Sequence, residues 1–148
     1  MDLRDFINRL KELGQMVEIE KEIDWNLEAA CIGAMNNRVE DGKHAVWFKK
    51  LKGYPEGYTL ATSLFSAPKK KMWERFNIAI GLDKDTPFAE LRDEINRRYR
   101  NPLAPKVVSS ADAPCKEEIY MGEDVDMFKF PFPLVHQFDG GRFQTFMT

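Results

Sequence analysis

Cysteine, histidine and long apolar runs are all scarce in this chain, and each scarcity excludes something. The 148 residues hold two cysteines and two histidines. Cys31 and Cys115 lie far apart and match no metal-ligand spacing, and neither sits in a disulfide framework. One falls on a predicted helix and the other at a predicted strand start, so buried thiols are expected. No apolar run approaches the ~20 residues that a membrane helix requires. The opening Met1-Asp2-Leu3-Arg4-Asp5 lacks the basic-then-apolar order of a secretory signal. Charge of one sign is also missing: 22 Lys and Arg face 24 Asp and Glu, for a net charge of -2. That balance calls for no nucleic-acid partner. With 31% charged residues, the expectation is a soluble, cytoplasmic protein. There is no phosphate-cradling glycine loop, no Gly-x-Ser-x-Gly and no helix carrying paired histidines.

What is present is ordered secondary-structure signal. Asp2 is placed to cap a helix whose apolar positions Leu3, Phe6, Ile7, Leu10 and Leu13 follow i, i+3, i+4 spacing. Asp5 meets the positive end of its dipole, and Gly14 suits the C′ position. Met16 to Glu20 alternates as a strand does. Asn26 caps a second predicted helix, Leu27 to about Val39, with an inner face of Ala30 and Ala34 beside Cys31 and Met35. An Asp41-Gly42 turn leads to a short strand, Ala45 to Phe48. Gly53 to Gly57 reads as a loop and Tyr58 to Leu64 as a further strand. Pro68 opens a helix striped by Trp73, Phe76 and Ile80. Thr86-Pro87 repeats the cap-then-proline signal for a helix through Leu91, Ile95 and Tyr99, ended by Pro102 and Pro105. Helices alternating with strands predict an α+β chain whose residues 1–106 form an α/β domain with a mixed sheet.

Residues 107–148 differ in kind. After a linker-like Pro105 to Ser110, helical periodicity is gone. Cys115 to Tyr120 and Phe128 to Pro133 read as strands around a polar turn at Gly122-Glu123-Asp124. An Asp139-Gly140-Gly141 reversal follows. Phe143, Thr145 and Met147 then alternate with Gln144, Phe146 and Thr148 as a strand entering a sheet. The expectation is an opening set of strands without their partners, so that function lies partly in polypeptide outside these residues.

Few constellations carry chemistry. His136 has a carboxylate, Asp139, three residues on, and such a pair can act as base and orienter; capping or packing of the prolyl loop is the simpler reading. His44 reads as a strand-entry residue. Lys69-Lys70-Lys71 with Trp73 has the ingredients of a phosphate patch, against a solvated helix turn. Arg97, Arg98 and Arg100 sit where a helix C-terminus favours cations. Glu117, Glu118, Glu123, Asp124 and Asp126 offer oxygen ligands without the spacing of a calcium loop. No complete catalytic set is present, and no position is assigned a catalytic, cofactor or metal role.

Several segments together resemble the N-terminal part of the UbiD-type decarboxylases. They are Asp2 to Ile7 with Leu10 and Gly14; Val17-Glu18-Ile19, Glu22-Ile23-Asp24 and Leu27-Glu28; Phe48 to Gly53; and Ala79 to Leu82. The most specific is Ala113 to Glu117 followed by the prolyl run and Asp139 to Phe143, similar to the ferulate and aryl-acid branch. The resemblance implies an N-terminal α/β domain, a split β-barrel of flavin-reductase type begun by residues 107–148, and a reversible decarboxylase acting on aromatic or α,β-unsaturated carboxylic acids. It implies prenylated FMN, with Mn or Mg and K, and chemistry in which the modified flavin stabilises carbanion character while a Glu delivers a proton. The family's Asn-x-x-x-x-Arg motif, its metal-binding His and its Glu residues match no position here. Thr145 and Thr148 are the nearest candidates to the flavin. A homo-oligomer, or completion by the remaining polypeptide, is implied, with no nucleic acid and no membrane as partner. This chain alone is expected to be inactive and to hold no cofactor. The alternative is a non-catalytic binding or assembly subunit that shares the domain.

Overall fold

The structure is a computed structural model that describes residues 2–39 and 43–144. The Asp41-Gly42 turn and the strand tail Thr145 to Thr148 lie outside the described residues. Helix α1, Leu3–Glu12, begins with a reciprocal cap: the Asp2 side chain accepts from the Asp5 N–H at 2.8 Å while the Asp5 carboxylate accepts from the Asp2 N–H. It ends at Gly14, whose φ of 66° lets the Gln15 and Gly14 N–H groups donate back to the Leu10 and Lys11 carbonyls. This pair of bonds is the Schellman arrangement that glycine makes possible.

Strand β1, Met16–Ile23, runs parallel to β2, Ala45–Leu51, with helix α2, Glu28–Arg38, as the crossover. A short β3, Leu60–Thr62, pairs antiparallel to the other side of β2. The three-stranded mixed sheet β1-β2-β3 therefore has β2 at its centre. Both leading strands run longer than the sequence pattern predicts, because β2 extends through Leu51 and an extra residue between Ile19 and Glu22 keeps β1 in step with it.

Two apolar clusters hold the lobe. Ile23, Ala29, Val46, Phe48 and Leu51 form one beneath α2, and Phe6, Leu10, Ala45 and Ile78 form the other beneath α1. The inner face of α2 is Ala29 and Gly33, not Ala30 and Ala34. Cys31 is exposed and Met35 is 68% exposed. The predicted stripe is thus rotated by one residue, about 100° of helix. A Cβ at Gly33 would stand 3.0 Å from the Thr62 Oγ1, so the small side chain is what brings α2 against β3. Asn26 does not cap α2; Leu27 occupies that position at φ 66°, with no side-chain cap.

The lysine-rich stretch is a 3-10 turn, Lys69–Lys71, before a short helix α3, Glu74–Ala79. Its inward residues are Glu74, Arg75, Asn77 and Ile78 rather than Trp73, Phe76 and Ile80. Trp73 and Phe76 instead join a row of rings that runs from the buried Phe6 out through the exposed Phe65, Phe76, Trp73 and Phe88, with neighbouring centroids 4.5 to 5.7 Å apart. Arg75 is 1% exposed, and its guanidinium donates to the Ser63, Lys43 and Gln15 carbonyls. Burial pushes it down to about 10, so it stays charged at neutral pH. One buried cation thereby ties together the loops that lead into β1, into β2 and out of β3.

Helix α4, Phe88–Arg100, buries Leu91, but Ile95 is 46% and Tyr99 87% exposed, so the expected inner stripe fails after its first member. Thr86 gives no side-chain cap; its carbonyl accepts from the Asn77 Nδ2 at 2.8 Å.

Residues 101–144 correct the sequence reading further. No strand appears there among the described residues. In place of Cys115 to Tyr120 and Phe128 to Pro133, four 3-10 turns follow one another at Ser110–Asp112, Pro114–Lys116, Gly122–Asp124 and Met127–Lys129. The reason is local. The Ser109 and Asp126 side chains accept from the backbone N–H groups of Asp112 and Phe128 and so compete with extended pairing, and no neighbouring strand offers a ladder. Cys115, on one of these turns, is exposed rather than buried.

Candidate functional site

The sequence candidates do not converge. His136 and Asp139 do meet: the Asp139 carboxylate accepts from the His136 N–H at 2.8 Å and lies 3.4 Å from its Nδ1. The His136 side chain is 77% exposed, and the contact closes the turn His136 to Asp139 just before the glycine pair. The capping reading is the one the geometry supports. Trp73 stacks on Phe88 at 4.5 Å, and the half-exposed Lys71 approaches the buried Glu74 at 3.8 Å. The acidic residues 117–126 are strung along separate turns, and among the described residues no group of three or more His, Cys, Asp or Glu is placed to hold a metal ion. Arg97 and Arg98 are engaged by Glu94. Thr145 and Thr148 lie outside the described residues.

What the fold does assemble is a junction between the α/β lobe and the segment after it. It starts at the end of β1. Asp24 accepts from the Asn26 N–H at 2.8 Å and from Lys52 at 2.7 Å, and these bonds, Lys52 first, hold its carboxyl below the usual carboxylate range. Glu28 accepts from the Asp24 N–H at 2.7 Å. The turn leaves Trp25 half-buried and Leu27 at φ 66°, a strained place for a bulky side chain that costs about 1–3 kcal/mol and persists only where its surroundings enforce it.

Leu134 enforces it. Its carbonyl accepts from the Leu27 N–H at 3.1 Å and its N–H donates to the Trp25 carbonyl at 3.0 Å, a parallel bridge across Asn26. Arg142 then closes over the turn. Its guanidinium lies 3.8 Å from the Trp25 ring centre and 5.0 Å from that of Phe128, its Nε donates to the Phe132 carbonyl at 2.8 Å, and it also donates to the Tyr54 hydroxyl. The Tyr54 hydroxyl has the Phe128 and Phe130 carbonyls at 2.9 and 3.0 Å as acceptors for its single proton. Trp25, Tyr54 and Arg142 were not singled out from the sequence as a set. Their separations of roughly 30 and 90 positions give no periodic signal, and only the aromatic richness of 128–132 hints at a cation's resting place.

Comparison with known proteins accounts for this two-part layout. The 3-octaprenyl-4-hydroxybenzoate carboxy-lyase N-terminal domain profile matches residues 7–95, and the Rift-related domain profile of the same carboxy-lyase matches residues 106–148. The chain belongs to the UbiD family. It is 31% identical over 142 residues to a phenolic acid decarboxylase of Sedimentibacter hydroxybenzoicus, covering 95% of this chain and 28% of that protein. It is 33% identical to ferulic acid decarboxylase 1 of Saccharomyces cerevisiae over 97% of this chain and 29% of the yeast protein. Among solved structures, the open form of the vanillic acid decarboxylase of Sedimentibacter hydroxybenzoicus superposes with a TM-score of 0.78 at 31% identity, over 95% of this chain and 29% of that one. An evolved dimeric form of the UbiD-class enzyme HmfF from Pelotomaculum thermopropionicum, in complex with prFMN, gives 0.72 at 27% identity over 95% and 29%. The chain thus spans less than a third of the length of these relatives.

The described residues do not fit a flavin or its metal. Two shallow cavities have mixed linings: one of about 260 Å³ among Leu13, Pro68, Lys43, Lys71, Glu74 and Lys84, and one of about 410 Å³ among Leu82, Glu90, Asp93, Glu94 and Arg97. A cofactor pocket is mostly apolar and buries its ligand.

Proposed function

We propose that these residues are the amino-terminal part of a decarboxylase, reversible toward carboxylation, that acts on aromatic or α,β-unsaturated carboxylic acids through prenylated FMN with a divalent metal and potassium. The observation that carries the reading is the ordered match of both family segments, which together reach from residue 7 to residue 148. The decarboxylase relatives and the prFMN-bound UbiD-class structure support the substrate class and the cofactor. In this reading the prenylated flavin supplies the electron sink, residues 107–148 open the split barrel that binds it, and the enzyme works as a cytoplasmic homo-oligomer. The part played by the residues described above is structural: the lobe gives the start of the next domain a rigid seat, through the Leu134 bridge and the Arg142 stack.

The test is to produce the longer polypeptide containing these residues together with a source of prenylated FMN. Carbon dioxide release from ferulate or a hydroxybenzoate is then followed, with exchange of labelled bicarbonate into the acid as the reverse assay. Turnover by the long form and none by residues 1–148 alone is the expected result. A long form loaded with the cofactor that neither releases nor exchanges carbon dioxide with any aryl or unsaturated acid overturns it, and leaves the assembly-subunit reading standing.

A further inference from the structure

Leu27 and Arg142 pose a linked question: a bulky residue is held at positive φ, and a cation far along the chain closes over the residue two before it. The 128–142 segment touches the lobe through three sets of contacts. Leu134 bridges Trp25 and Leu27, Tyr54 reaches the Phe128 and Phe130 carbonyls, and Arg142 reaches Trp25, Tyr54 and the Phe132 carbonyl. Around them, every residue from Asn101 to Phe130 is exposed except the half-buried Ala113, whereas residues 131–135 are half-buried. The segment therefore gains its order where it crosses the Asp24 to Leu27 turn.

We propose that residues 128–142 form a strap latched by Arg142, and that closing the strap is coupled to the strained conformation of Leu27. With the latch shut, the Leu134 carbonyl holds the Leu27 N–H and the Leu134 N–H holds the Trp25 carbonyl, which fixes the turn in which Leu27 sits at φ 66°. With it open, that acceptor is lost and Leu27 relaxes, so the strap and the first turn of α2 move as one two-state element. Arginine suits the latch because its planar fork stacks on Trp25 while its edge donates to Phe132 and Tyr54, which a lysine ammonium does not reproduce. The proposal concerns the fold of this chain and stands or falls independently of the decarboxylase reading.

Amide exchange by NMR on the 148-residue chain tests it. In Arg142→Met, the Leu27 and Leu134 amides are expected to exchange about tenfold faster, the size set by losing a cation–π contact and a charge-assisted bond. The Ala45 and Lys52 amides, bonded to the Gln15 and Ile23 carbonyls within the lobe, keep their parent rates. Arg142→Lys does not restore protection. Trp25→Leu reproduces the acceleration, and the double variant adds little to either single one, as expected of partners in one contact. Unchanged rates at Leu27 and Leu134, acceleration shared equally by Ala45 and Lys52, full rescue by lysine, or additive effects of the two substitutions would each overturn the latch.

Discussion

Residues 3–100 and residues 101–144 treat apolar side chains in opposite ways. In the first, Leu10, Phe48 and Leu91 are at most 1% exposed, each closed in by an element that the same stretch supplies. In the second, Leu103, Val107 and Phe138 are 93 to 95% exposed, and Ile119, Met121 and Phe130 are more than half so. Composition does not explain the difference, since both stretches are rich in large apolar residues. What differs is whether a partner surface is present. The β1-α2-β2 unit closes its own core, because a parallel pair with its crossover helix buries one face on its own. The turns that follow bring no second layer with them. A run of large exposed apolar side chains of that kind fits a stretch that another surface covers, in keeping with the Rift-related match over residues 106–148.

The strongest way to break the contrast is to remove a large side chain on each side of it. Phe48→Ala empties the centre of the sheet core and is expected to lower the unfolding free energy by about 3–5 kcal/mol, read from a urea or guanidinium midpoint. Phe138→Ala removes the same atoms from an exposed position, and its expected effect is within about 0.5 kcal/mol. Comparable losses from the two variants would mean that the later segment is packed as tightly as the lobe.

Arg75 sharpens the comparison from inside the lobe. Arg75→Met keeps much of the volume but leaves the Ser63, Lys43 and Gln15 carbonyls without their shared donor. Unsatisfied buried acceptors are costly, and the expected loss is about 2–4 kcal/mol. Faster proteolysis in the three loops it joins should accompany the loss, with cleavage rates in residues 103–125 unchanged. A neutral Arg75→Met would show that apolar packing alone holds those loops.

How far the sequence foretold this can be seen at particular residues. Asp2, Asp5 and Gly14 specify both ends of α1 by local chemistry, and the structure has each bond they imply. The mixed three-stranded sheet was legible because its strands carry alternating or continuous apolar runs. Asn26 misled because the Asp24 turn and the parallel bridge to Leu134 hold it outside the helix, so that α2 starts at Glu28. Arg75 and Asn77 were missed because polar residues on a short helix read as its outer side, while here backbone carbonyls from distant loops make burial favourable. The strands expected after Cys115 failed for a different reason: strand propensity expresses itself only against a partner strand. Residue types likewise gave no warning that Trp25, Tyr54 and Arg142 meet, since nothing local couples them. The family resemblance was readable because several weak segments occurred in the right order, which a single motif does not provide.

The smallest effect concerns where the lobe ends. Glu94 sits on α4 between Arg97 and Arg98, and their hydrogen bonds, Arg97 first, hold its carboxyl down to about 2 from an ordinary 4.5. Arg98 also donates to the Ile80 carbonyl at 2.8 Å, so the same network fastens α4 to the end of α3. Because the folded value lies below the unfolded one, the contribution is complete above pH 4.5 and is lost as pH falls toward 2. Glu94→Gln should therefore flatten the part of the acid melting profile that belongs to α4, while leaving stability near pH 7 only slightly lower, as expected of an exposed network. Thermal melts followed by circular dichroism from pH 5 to 2, parent against variant, measure the difference in slope. Parallel profiles would detach α4 from the lobe and move the boundary between the two regions back toward Ile80.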